Sequence, residues 1–165
     1  VGVLDWIYVQ ARSSSNDMEV LDEAVGFVNS QGDVVDINGQ EGVSFPNLSP
    51  GNYNIAVFHR NHLAVMTAEP ISLPNDVSYS FSGSMNSAKG VDKLKYEDGY
   101  YVLFAGDYNM DGNINSTDYN AWAGDAALVN EYVGFDGNGS GVVNSGDYNI
   151  WFTNRSKLAY NSLIY

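Results

Sequence analysis

Short apolar runs punctuated by Gly, Pro, Asn or Asp fill the first half of the chain: VGVLDWIYVQAR, EAVGFVNS, GDVVDI, GVSFPNL, NYNIAVFHR, LAVMT and VSYSFS. Their length and their content of Val, Ile, Tyr and Phe predict β-strands. Alternation is clearest where Tyr53, Ile55 and Val57 interleave with Asn52, Asn54 and Ala56, the period of a half-buried strand. Six or seven strands at this spacing predict an antiparallel β-sandwich over residues 1–100. From about residue 83 the pattern breaks into a Gly/Ser-rich stretch, SGSMNSAKG, and a mixed-charge one, VDKLKYEDG. These read as a connector that re-enters structure at the apolar run Tyr100 to Ala105. Beyond it, residues 101–165 carry Asp, Asn and Gly at fixed offsets and form the second predicted unit.

That second unit contains an internal repeat. DYNMDGNINSTDYNAW from Asp107 and DGNGSGVVNSGDYNIW from Asp136 share nine of sixteen positions at a constant offset of 29 residues. Each copy sets oxygen-bearing side chains at loop positions 1, 3, 5, 9 and 12 around a glycine at position 6. In loop 1 these are Asp107, Asn109, Asp111, Asn115 and Asp118 around Gly112; in loop 2, Asp136, Asn138, Ser140, Asn144 and Asp147 around Gly141. Calcium takes six to eight oxygens, and a loop that turns sharply at glycine curls its odd-numbered side chains inward to supply them. Position 7 adds a backbone carbonyl, from Asn113 and Val142, and the apolar Ile114 and Val143 at position 8 are expected to pair the two loops and to pack into the core. Two calcium ions are therefore predicted, the second held more weakly because Ser140 replaces a carboxylate.

Composition narrows the function. Seven Lys and Arg against 20 Asp and Glu leave a formal charge of −13, which repels nucleic acid and anionic lipid. Cysteine is absent, so disulfides, zinc-thiolate sites and thiol nucleophiles are excluded. No apolar run of about 18 residues spans a bilayer. The chain opens VGVLDW with neither an initiator Met nor a leader, which reads as processing or trimming. The only histidines, His59 and His62, have the spacing of a metal pair, but NYNIAVF and LAVMT on either side make a hairpin tip the stronger reading. Asp33 and Asp36 in GDVVDING suit a third cation or, more simply, a turn at Asn38-Gly39. No catalytic motif appears, and no enzyme activity is expected.

The C-terminal 60 or so residues resemble a dockerin, whose loops end in Asp and whose entering helix is missing; Tyr101 to Phe104 reads as a strand in its place. Leu48 to Tyr53 resembles the turn before a core strand in transthyretin-like modules of secreted proteins. Asp5-Trp6, GDVVDING, PGNYNIAVFHRNHLAVMTAEPISL, NSAKGVDKL and both loops together resemble a module of large surface proteins secreted by Bacteroidetes-type bacteria. The resemblance implies an extracellular or cell-surface location, calcium binding and no enzyme activity. At positions 10 and 11, used by dockerins to recognise cohesins, stand Ser116-Thr117 and Ser145-Gly146, and the second pair departs from the paired-hydroxyl pattern. The first pair also suits a helix cap.

Three functions follow. A structural or adhesive subunit would self-associate, a dockerin-type module would bind a cohesin-like protein, and a carbohydrate-binding module would present Tyr119, Trp122, Tyr148 and Trp151 to a glycan. Those aromatics equally suit a core between the two loops. The uncharged segment Leu158 to Tyr165 is expected either to clasp its own unit or to pair with a neighbour's sheet edge in a filament.

Overall fold

The computed structural model describes residues 2–75, 77–129 and 132–164. Six strands make one antiparallel sheet: β1 (Val3–Ser13), β2 (Val20–Asn29), β3 (Val34–Val35), β4 (Gly51–His59), β5 (Val65–Met66) and β6 (Ile71–Leu73). The order is β3-β2-β1-β4-β5, with β6 also on β4. β7 (Lys95–Glu97) and β8 (Tyr100–Val102) form a separate two-stranded ribbon, and α1 (Ser116–Gly124) and α2 (Ser145–Asn154) follow the two loops. The chain is thus mainly β, as its hydrophobic pattern predicts, with a small helical part that follows the two loops.

Strands β1 and β4 are central, and both faces of the sheet are covered. Register puts Gln10 opposite Ala56 and Tyr8 opposite Phe58 on one face, and Val9 opposite Val57 and Ala11 opposite Ile55 on the other. On the first face Ala56 and Met66 join Leu63, Ala64, Phe104, Ile114, Ala159 and Leu163 in a core that reaches into the loop region. On the second, Val57 and Val65 pack with Phe81, Ala88, Leu94, Tyr101 and Leu103, so the connector and the β7-β8 ribbon form a smaller layer over the sheet. The stretch from residue 83, expected as a connector, is built into the core through Ala88 and Leu94.

Two expected strands do not form. In GVSFPNL, Pro46 lacks a ladder donor, Leu48 N–H turns back to Phe45 O at 3.2 Å, and Asn47 is held by the Asp22 carboxylate. In VSYSFS, Tyr79 Oη bridges instead, accepting from Ala68 N–H and donating to Ser87 O. The short strands β6 and β7 carry little apolar patterning to predict them, whereas β8 overlaps the strand expected at Tyr101 to Phe104. At the Asn38-Gly39 turn, the Asp36 carboxylate accepts the N–H groups of Asn38 and Gln40, the hydrogen bonding of an ordinary turn.

Gly26 of β2 allows close covering of the sheet: a Cβ there would lie 2.7 Å from Val43 Cγ1 and 2.9 Å from Val35 O. Gly26→Ala is expected to destabilise the fold by about 1–3 kcal/mol, as overpacking against backbone does. Urea unfolding with an unchanged midpoint would contradict this.

Candidate functional site

The loops open onto helices through matching local chemistry. Asn115 is the N-cap of α1 and Asn144 of α2, each in a capping box with the acid three residues on, Asp118 or Asp147. The cap expected of Ser116-Thr117 therefore falls one residue earlier. Asp118 accepts Tyr108 N–H at 2.7 Å, Asn109 N–H at 3.1 Å and Asn115 N–H at 2.8 Å. Asp147 repeats this with Gly137, Asn138 and Asn144. At position 1, Asp107 accepts Asp111 N–H and Gly112 N–H, while Asp136 accepts Ser140 N–H and Gly141 N–H. Both position-6 glycines adopt positive φ, +83° and +79°, where a side chain is strained.

The remaining sequence-predicted donors lie on the same two turns. Asn109 Oδ1 and Asn138 Oδ1 accept the N–H of position 5, Asp111 Oδ1 accepts Asn113 N–H, and Val142 O accepts from Ser140 Oγ. Asn115 Oδ1 and Asn144 Oδ1 face their helix N-termini. Among the described residues no three acidic or histidine side chains form a ready-made metal cage. The donor sets mix carboxylate, amide, hydroxyl and carbonyl oxygens, which fits a hard cation and no thiophilic one. Asp107, Asp118, Asp136 and Asp147 are buried, and none of the ion pairs among the described residues involves a loop acid. Burial, with the nearby charges of Asp118 and Asp111, pushes the Asp107 carboxyl up to about 7. Burial likewise raises Asp118. Carboxylates buried this way need a cation or a proton.

The loops do not pair with each other through Ile114 and Val143. Ile114 N–H donates to Lys157 O and Ser156 N–H to Ile114 O, while Val143 N–H donates to Leu128 O and Ala127 N–H to Val143 O. Each loop thus pairs with the segment that follows the other loop's helix, and the partners 127–128 and 156–157 keep the 29-residue offset. Ala127 and Ser156 share a positive φ as well, 81° and 74°. The tail is consumed by this arrangement: Ala159 N–H donates to Gly112 O, Leu163 is buried in the core, and Arg12 Nη1 and Lys93 Nζ donate to tail carbonyls. The described residues Leu158–Ile164 therefore clasp their own unit, through Ala159 and Leu163.

Between α1 and α2, Tyr119, Trp122, Tyr148 and Trp151 pack on one another with centroids 5.3–6.1 Å apart. Trp151 Nε1 also donates to Asn115 O at 2.7 Å. Their rings build the helix pair.

The hairpin tip His59-Arg60-Asn61-His62 holds the loops against the sheet. Asn61 O accepts Gly106 N–H at 2.7 Å and Asp107 N–H at 3.2 Å, Asn61 Nδ2 donates to Asp136 O at 3.0 Å, and Arg60 Nη1 donates to Val133 O. Asp5 accepts from Arg60 Nε at 2.7 Å, from His59 Nε2 at 3.1 Å and from Tyr132 Oη. Burial pushes the Asp5 carboxyl upward, but the hydrogen bonds from Tyr132 and Arg60 outweigh it and hold it below the usual range. Sequence reasoning placed His59 and His62 in a hairpin and missed Asn61 as the residue that touches both loops. A buried Asn at a tip with φ 58° had only the turn propensity of Asn to announce it.

No family model matches the chain, and no curated protein matches it significantly. It is similar in fold to chains in crystal structures of N-terminal and C-terminal interface mutants of a type II cohesin–X-dockerin complex from Acetivibrio cellulolyticus. Each likeness has a TM-score of 0.54 at 19% identity and covers 93% of this chain and 82% of the other. At that identity the likeness is one of fold. Among the described residues no helix is long and apolar enough to cross a membrane.

Proposed function

We propose that residues 101–165 form a two-calcium unit and that the whole chain is a non-enzymatic structural or adhesive module of an extracellular assembly. The observation that carries this reading is the pair of superimposable loop hydrogen-bond patterns, each enclosing two buried carboxylates that no Lys, Arg or His among the described residues neutralises. The ligands would be Asp107, Asn109, Asp111, Asn115 and Asp118 with the Asn113 carbonyl in loop 1, and Asp136, Asn138, Ser140, Asn144 and Asp147 with the Val142 carbonyl in loop 2. A divalent ion would replace the proton that burial otherwise calls for on Asp107.

Binding to the native state alone stabilises it by about 2.7 kcal/mol at a hundredfold excess over Kd. Thermal melting in millimolar calcium is expected well above that in chelator. Coincident curves, with no heat of binding by calorimetry, would overturn the reading.

Between self-association and a separate protein partner, the clasped tail favours the partner, because Ala159 and Leu163 are already buried in the chain's own core and Ala159 N–H is bonded to Gly112 O. The solved chains of similar fold come from a cohesin–X-dockerin complex, and Ser116 and Thr117 stand exposed at the start of α1. Light scattering in calcium is expected to report a monomer.

A further inference from the structure

We propose that Asn61, outside the repeat, is a positioning residue for both loops and that with Tyr108 it makes the two calcium ions bind as one coupled event; this rests on the calcium reading above. The two residues join equivalent positions of the two loops. Through its carbonyl Asn61 fixes the N–H of Asp107, and through its side-chain amide it fixes the carbonyl of Asp136, so position 1 of both loops hangs on one residue. Tyr108 gives its N–H to Asp118 Oδ1 and its Oη hydrogen to Asp147 O, each at 2.7 Å, so position 12 of both loops hangs on another.

The repeat itself bears the mark of this bridge. Loop 1 has Tyr at position 2 and loop 2 has Gly137, where a Cβ would lie 2.8 Å from Tyr108 Oη. The glycine is the room the tyrosine occupies. Asn61 is almost fully buried in a left-handed backbone conformation, and its Oδ1 makes no hydrogen bond among the described residues. An unsatisfied buried oxygen costs stability, so the side chain is not explained by packing alone; its one hydrogen bond is the one to loop 2. An ion that orders Asp107 and Asp118 therefore also orders the backbone of Asp136 and Asp147, and the second ion meets a loop whose ordering cost is already met.

The test follows each loop separately, by the NMR amide signals of Gly112 and Gly141 during calcium titration of the full chain. Asp111→Ala disables loop 1 without touching either bridge. In the parent chain it is expected to weaken calcium binding at Gly141 about tenfold, within the usual range of coupling between sites. With Asn61→Gly, which keeps the left-handed backbone and the carbonyl, and Tyr108→Phe, which keeps the ring, Asp111→Ala is expected to change loop 2 affinity by less than about twofold. Tyr108→Phe alone, the gentler variant, should reduce the coupling measurably. Loop 2 affinity indifferent to Asp111→Ala in the parent, or coupling that survives both substitutions, overturns the proposal while leaving calcium binding intact. Glycine signals that stay fixed in millimolar calcium would overturn the calcium reading itself, and the coupling with it.

Discussion

Leu163→Ala is expected to cost about 2–5 kcal/mol of folding free energy, the range for emptying a buried leucine site. Leu163 is 1% exposed in the core that joins Ala56 and Met66 of the sheet to Phe104 and Ile114 beside loop 1. The tail backbone beside it packs closely on loop 1: a Cβ on Gly112 would lie 3.0 Å from Ile164 Cα and 3.3 Å from Leu163 O. Against a total stability of about 5–15 kcal/mol for a domain, the loss is a large fraction. Ending the chain at Lys157 should cost more, since it also removes Ala159, the Ala159 to Gly112 hydrogen bond and the Ser162 carbonyl that receives Arg12. Guanidinium unfolding of both variants in chelator gives the measurement. A truncated chain as stable as the full one to within about 0.5 kcal/mol, as for a surface change, would mean that the clasp contributes nothing.

Acidification from pH 7 to below pH 4 is expected to remove about 3 kcal/mol through His62 alone. His59 Nδ1 and His62 Nδ1 lie 2.9 Å apart, and His59 Nε2 faces Asp5 Oδ2 at 3.1 Å. The consistent assignment puts Nε2–H of His59 on Asp5 and Nδ1–H of His62 on His59, both rings neutral. Burial first, and then the neighbouring His59, lower His62 to about 4, and burial lowers His59 as well despite Asp5. A histidine that resists protonation when folded and accepts it near pH 6.5 when unfolded binds fewer protons in the native state. The fold is therefore fully stable above pH 6.5 with respect to this group and loses stability as pH falls from 6.5 to about 4. Ring-proton NMR isolates the effect from the many carboxylates: His62 titrating near 6.5 would show that the pair carries no such penalty.

The residues show where legibility ended. Strands β1, β2 and β4 were readable because each is long enough for apolar periodicity to rise above noise. β3 and β5, two residues each, were readable only as parts of apolar runs. GVSFPNL and VSYSFS carried strand-like composition, yet Pro46 and the side-chain bonds of Tyr79 gave their backbones other partners. The loop turns were legible to the residue: Gly112 and Gly141 adopt the positive φ that position 6 calls for, and Asp118 and Asp147 at position 12 fold back on the loop N–H groups, because a tight turn fixes spacing along the chain. The pairing of Ile114 with 156–157, and of Val143 with 127–128, was not. The apolar residue at position 8 announces that it needs a strand partner and not which one.

By itself, the sequence determined the local periods of this protein: strand alternation, the 29-residue repeat and the glycine turns. Those depend on neighbours a few residues apart, and spacing encodes them. The tertiary structure decided what lies against what: the tail clasped over loop 1, the connector packed with the ribbon against the sheet, and one asparagine from a sheet hairpin touching both loops. Such contacts join residues as far apart as Arg12 and Ser162, and they depend on shape and on which hydrogen-bonding groups remain unsatisfied once the local structure has formed.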